Sequence, residues 1–244
     1  MPRSSVDYAT DNITVYRRPC PYACKYCWAW RIPLFKSRIE RGLYNPLEEA
    51  EKYARMKKRR VIVVSFTSDP YPPYEKVFER TRQVLDILAS NPRHRILVLT
   101  KNPRLALRDL DIFKDHPDMW LGTTVISLKP TDWEPYAPSP GERLAALKLA
   151  HSEGVKTWLS IEPIIPGVTY PEHIVFRTLD YVDWYVLGAF NYSKRIAGMS
   201  ERVLKAWYEV HVVDAIETLK ANNKEFHIKK ELRKYLNMNI NMNI

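Results

Sequence analysis

The stretch RRPCPYACKYCWAW sets Cys20, Cys24 and Cys27 in a C-x3-C-x2-C array, and no residue after Cys27 is a cysteine. Thiolate is the soft ligand of iron–sulfur clusters. Three thiolates can hold three irons of a [4Fe–4S] cube and leave the fourth iron open. An open iron can chelate the amino and carboxylate groups of S-adenosylmethionine. Electron transfer into the sulfonium then breaks a carbon–sulfur bond and gives a carbon radical. Two plainer readings stand beside this. Positions i, i+4 and i+7 share one helical face, so the cysteines could line a core helix with Pro21 at its first position. A structural zinc ion normally takes four ligands, and the nearest histidine is the distant His94. Spacing and isolation favour the cluster.

The chain around this array has 244 residues, 45% of them apolar and 27% charged, the composition of a soluble globular protein. Its length is that of a one-domain α/β barrel and is enough to fold without disulfides. An odd set of clustered cysteines is not the framework of an oxidised secreted scaffold. The N-terminus lacks the apolar core of a signal peptide, and no apolar run is long enough to span a bilayer. A cytoplasmic protein is expected. The net charge of +10 favours an anionic partner such as nucleic acid.

Short apolar runs alternate with helical patterns. Strands are predicted at Ile13–Arg17, Arg60–Phe66, Arg95–Thr100, Trp120–Ser127, Lys156–Ile161 and Trp184–Phe190. The runs VIVV, ILVL and WYVL within them are continuous, as buried parallel strands require. Helices are predicted at Leu47–Lys58, Lys76–Ala89, Pro103–Lys114, Gly141–Ser152 and Pro171–Leu179. The alternation argues for βαβ units and an α/β fold, an open or partial (β/α)6 barrel. The barrel would run over about 12–195, followed by a C-terminal helical extension over about 196–236. Prolines cluster after the strands, where stiff loops at strand C-terminal ends build the site of such a barrel.

Those strand ends carry the remaining candidates. Ser65 to Glu75 reads SFTSDPYPPYE, and a hydroxyl pair followed by Asp69 can grip an amino group; an Asx or ST turn is the plainer reading. Lys101 follows the third strand, where its point charge can meet a carboxylate. Ser127 ends the fourth. Glu162 interrupts an apolar run in the fifth and needs a partner, which makes it a substrate or ribose contact. Asn191 and Tyr192 follow the sixth.

From about Tyr16 to Asn191 the chain resembles the radical S-adenosylmethionine superfamily, and within it the branch related to spore photoproduct lyase. The resemblance implies a partial (β/α)6 barrel, a [4Fe–4S] cluster on Cys20, Cys24 and Cys27, and S-adenosylmethionine as cosubstrate. It also implies an external electron donor of flavodoxin or ferredoxin type. Tyr26 would pack at the cluster near the adenine. The lyase branch reads Cys-Thr-Ser-Asp where this chain has Phe66, Thr67, Ser68 and Asp69, so Ser68 would contact the amino-acid end of the cosubstrate. A lysine and a serine bind its carboxylate in that branch, which carries over to Lys101 and Ser127. The lyase cysteine that returns a hydrogen atom is Phe66 here. Either Tyr71, Tyr74 or Tyr192 replaces it or the reaction differs, and photoproduct repair is not predicted.

Basic residues concentrate at RMKKRR (Arg55–Arg60), at Arg93–Arg95 and at Lys224–Lys234. The first two read as solvated faces. The third interleaves cations with Phe226, His227 and Tyr235, a mix that can hold a phosphate backbone and stack a base. Three functions follow: a radical enzyme acting on nucleic acid, the same enzyme acting on a small molecule or peptide, or a non-catalytic metal-stabilised nucleic-acid-binding module.

Overall fold

The computed structural model describes residues 6–31, 33, 39–64 and 67–236. Seven strands, β1 (Asp11–Ile13), β2 (Val61–Val64), β3 (Arg95–Thr100), β4 (Met119–Thr124), β5 (Lys156–Ile164), β6 (Trp184–Ala189) and β7 (Glu225–Ile228), form one sheet in chain order. Every neighbouring pair is parallel. Parallel neighbours need crossover connections. Helices α1 (Pro46–Ala54), α2 (Glu75–Phe78), α3 (Arg80–Ala89), α4 (Pro103–Ala106), α5 (Leu110–Asp115), α6 (Pro140–Ser152) and α7 (Pro171–Thr178) lie in the connections up to β6. Four more, α8 (Ser193–Ala197), α9 (Glu201–Trp207), α10 (Val213–Ala221) and α11 (Lys230–Arg233), follow β6. The result is an α/β half-barrel. Among the described residues, no helix is long and apolar enough to cross a membrane.

Alternation along the strands separates two apolar layers. Ile62, Val64, Ile96, Val98, Leu121, Leu159, Tyr185 and Leu187 belong to the larger core, which includes the buried faces of the helices. Val63, Leu97, Trp120, Trp158 and Val186 form a second cluster inside the half-barrel. Gly122 makes room there, because a Cβ on it would lie 2.3 Å from the Trp158 indole. That indole donates to the Val98 carbonyl at 3.2 Å. Tyr8 packs edge-on against Trp158, Trp184 and His227, so the chain before β1 covers the inner cluster.

Several elements differ from the sequence reading: the predicted helix Lys76–Ala89 is broken at left-handed Glu79 into α2 and α3, Pro103–Lys114 is divided between α4 and α5, and β4 stops at Thr124, short of Ser127. The first strand lies at Asp11–Ile13, before the predicted one, because Ile13 already pairs with Val64, the last residue of β2. The basic run Lys224–Lys234 contains β7 as well as α11, and β7 pairs with β6 from Trp184↔Glu225 to Leu187↔Ile228. The chain after β6 therefore supplies a seventh barrel strand in addition to its helices.

Candidate active site

The cysteines do not lie on a helix. Cys20 to Cys27 fold as successive tight turns, with Ala23 N–H donating to Cys20 O at 3.3 Å and Cys27 N–H to Cys24 O at 3.0 Å. Ala23 takes a left-handed φ of 43°. The three thiols are free and line one cavity of about 480 Å³ at the C-terminal ends of the strands. That volume is within the range of sites for cofactors and small molecules.

Counting by twos along each strand finds the rest of the lining. From Leu97 and Leu99 the inward side reaches Lys101; from Trp120 and Gly122 it reaches Thr124; from Trp158 it reaches Ser160 and Glu162; from His227 it reaches Lys229. All five endpoints line the cavity. A register shift between Ile161 and Ile164 sits at Glu162, and bulges of this kind re-aim side chains beside active sites.

Lys101 is held in a buried polar network. Its Nζ is 3.2 Å from Glu134 Oε1 and 5.4 Å from the Tyr26 ring centroid. Tyr26 Oη and Arg143 Nη2 also donate to Glu134. Arg143 in turn donates to the Thr124 carbonyl at 2.7 Å. Burial alone would raise the Glu134 carboxyl, but Lys101 and Arg143 outweigh it and hold its pKa at about 2. Burial pulls Lys101 down, and Glu134 with Cys24 more than reverses this. A second pair stands on another wall, where Lys229 Nζ donates to Glu162 Oε1. Gly188 leaves space for that carboxylate, since a Cβ there would lie 2.7 Å from Glu162 Cδ.

The predicted residues divide accordingly. Cys20, Cys24, Cys27, Tyr26, Ser68, Asp69, Lys101, Glu162, Asn191 and Tyr192 all line the cavity. The Asp69 carboxylate is engaged within the fold, accepting from Thr100 Oγ1 at 2.6 Å, Lys101 N–H at 2.7 Å and Tyr71 N–H at 2.9 Å. Ser127 is not among the lining residues. It lies past the end of β4, and its Oγ accepts from Lys129 N–H at 3.1 Å, so Thr124 takes the inward position. Tyr71 is fully buried and donates to Asp109 Oδ2 at 2.8 Å. Tyr74 packs edge-on against Tyr16. Neither tyrosine lines the cavity, whereas half-exposed Tyr192 does. Phe66 lies outside the described residues. Glu134, Arg143 and Lys229 were not singled out by sequence as site residues; period-two counting reaches Lys229, but the first two come from the long β4–α6 segment and α6 itself.

The donor set fits an iron–sulfur cube. Among the described residues, no three His, Cys, Asp or Glu side chains gather around a single metal-ion position, and a cube asks each thiolate for a different iron. Burial, chiefly, pushes the Cys24 thiol up to about 11, and nearby Lys101 works against that rise. Thr67 Oγ1 lines the same cavity, buried and with no hydrogen-bond partner among the described residues.

The profile of the Radical SAM superfamily matches residues 16–178. An uncharacterized protein of Methanocaldococcus jannaschii is 32% identical over 179 residues, which are 70% of this chain and 67% of that protein. Streptococcus suis SuiB bound to S-adenosylmethionine superposes with a TM-score of 0.60 at 10% identity, over 89% of this chain and 50% of SuiB. A spore photoproduct lyase variant with a dinucleoside spore photoproduct gives a TM-score of 0.53 at 17% identity, over 77% of this chain and 57% of the lyase. The chain thus spans 50% and 57% of the length of these two structures. The chain belongs to the radical SAM superfamily and is a radical SAM enzyme, with the partial barrel of those solved structures.

Proposed function

We propose that Cys20, Cys24 and Cys27 hold a [4Fe–4S] cluster at the rim of the cavity and that S-adenosylmethionine binds beside it. When bound, the cluster supplies the electron that cleaves S-adenosylmethionine to a 5′-deoxyadenosyl radical, which takes a hydrogen atom from the substrate. The observation that carries this reading is the convergence of all three thiols on one cavity with the inward residues of β3, β4, β5 and β7.

The chain's own residues bind and orient. Lys101 has three N–H donors, and Glu134 fixes the ammonium while leaving donors for a carboxylate. The low pKa of Glu134 keeps that partner ionised, so Lys101 stays charged and in place. Thr67 and Ser68 offer hydroxyls to the amino end of the cosubstrate. Asp69 acts through position, tying the loop after β2 to the end of β3. Of Tyr71, Tyr74 and Tyr192, Tyr192 is the one that lines the cavity and from which a hydrogen atom can be returned. Tyr71 and Tyr74 instead brace the loop after β2. An external donor of flavodoxin or ferredoxin type supplies the electron. The net charge of +10 supports nucleic acid as the substrate class over a small molecule or peptide.

Anaerobic reconstitution tests the reading. The parent should hold about four irons per chain and, with dithionite, turn S-adenosylmethionine into methionine and 5′-deoxyadenosine. Stoichiometric zinc with no iron uptake would overturn it.

A further inference from the structure

The two basic runs that sequence alone reads as separate solvated faces meet in the fold. Arg55–Arg60 leads into β2 and Arg93–Arg95 into β3, and these strands pair from Val61↔Arg95 onward. Both runs therefore lie at the N-terminal ends of the strands, the edge opposite the cysteine cavity. Lys156 joins them at the start of β5. Arg59, Arg95 and Lys156 share the single carboxylate of Asp118, at 2.9, 3.1 and 3.8 Å. Lys57, Lys58 and Arg93 are exposed and have no ion pair among the described residues. Along the same strand ends opens a groove of about 540 Å³, lined by the cations Arg95, Lys156 and Lys224 and the carboxylates Asp183 and Glu225, so the cation excess comes from the exposed Lys57, Lys58 and Arg93 and not from the groove itself.

We propose that this N-terminal face is a second binding site, separate from the cavity, for the phosphate backbone of nucleic acid. Cation excess supplies the attraction, because each neutralised phosphate releases counterions. Arg59 precedes β2 and Arg95 begins β3, which pair, and Lys156 begins β5 beyond β4, so three cations spread along the strand ends outnumber the one carboxylate, Asp118, that lies among them. A protein partner or a lipid surface would call for large exposed apolar side chains at the centre. None of the exposed large hydrophobic residues falls within 55–60, 91–96, 116–120 or 154–157. The Trp120 ring is 7% exposed, covered by Arg95 at 5.3 Å and Lys156 at 5.5 Å from its centroid, so it is closed to base stacking. Contacts are then to phosphate, and binding has no sequence preference.

The C-terminal run is a poorer site for this ligand. Lys229 is buried on Glu162, His227 pairs with Asp7 and Lys234 with Glu201.

The test is fluorescence anisotropy of the full chain with a labelled duplex of about 20 base pairs, titrated across salt. The parent should bind at physiological ionic strength with a steep salt slope and no preference among unrelated sequences. Replacing Lys57, Lys58 and Arg93 together with Gln should weaken binding at least about tenfold and reduce the slope by roughly 3, one per lost phosphate contact. All three side chains are exposed, and circular dichroism checks that the variant is folded. Lys230→Gln with Lys234→Gln should keep parental affinity. The proposal is overturned by a parent that does not bind, by a triple variant that binds like the parent, or by anionic phosphatidylserine vesicles binding as tightly as the duplex. Binding should be equal in metal-free and reconstituted protein, so a failure of the cluster reading leaves this result unchanged.

Discussion

The two ends of the sheet treat charge in opposite ways. At the C-terminal end, Lys101 is locked onto Glu134, Lys229 onto Glu162, and the Asp69 carboxylate accepts three hydrogen bonds. At the N-terminal end, three cations share Asp118, and the exposed Lys57, Lys58 and Arg93 have no ion pair among the described residues. A buried charge left alone is costly, so the cavity must compensate each one with a partner fixed in place. A hydrated cation needs no such partner and remains available to an external anion. The cavity side is preorganised and the opposite side is poised for association.

The largest expected effect falls on the cavity side. Replacing any one of Cys20, Cys24 or Cys27 with Ala should abolish reconstituted iron and, with it, cleavage of S-adenosylmethionine, as read by iron and sulfide assay and by product chromatography. Next comes the buried network. Glu134→Gln should lower stability at neutral pH on the order of 3 kcal/mol, measured by urea unfolding, because Lys101 and Arg143 lose their shared carboxylate. The sign with pH follows from a folded pKa of about 2 against an ordinary 4.5. The carboxylate's contribution is complete above the unfolded value and disappears as pH falls through the folded one. The gap between parent and variant should therefore close between about 4.5 and 2. A gap independent of pH would mean that the network is not electrostatic.

A smaller effect is expected at Gly188. Gly188→Ala should cost about 1–3 kcal/mol through overpacking and push Glu162 away from Lys229. The smallest effect sharpens the contrast between the two ends. Lys114 and Glu153 are 3.1 Å apart and each 46% exposed. Lys114→Gln should change stability by no more than about 0.5 kcal/mol, the usual worth of a solvated pair. A cost matching that of Glu134→Gln would erase the distinction between the two ends.

Much of the site was legible before the fold. Three cysteines at fixed spacing point to one chemistry because few other constraints would gather them and exclude cysteine elsewhere. The runs VIVV, ILVL and WYVL appear as β2, β3 and β6, since doubly buried parallel strands leave an unbroken apolar signature. Ser139, Pro140 and Glu142 start α6 with a capping box, also a local signal. Less was legible where strand length mattered. Ser127 looks like a strand end only if β4 extends to it, but β4 stops at Thr124, and each residue of error changes which face is presented.

Sequence by itself determined the cysteine spacing, the βαβ order and the strand cores, because each depends on residue chemistry and short-range periodicity. Tertiary structure alone decided the partners. Glu134 reaches Lys101 from a connection 33 residues on, Lys229 reaches Glu162 only because β7 pairs with β6, and two basic runs become one face only because β2 pairs with β3. Such contacts join residues far apart in the chain, and no local pattern records the pairing that brings them together.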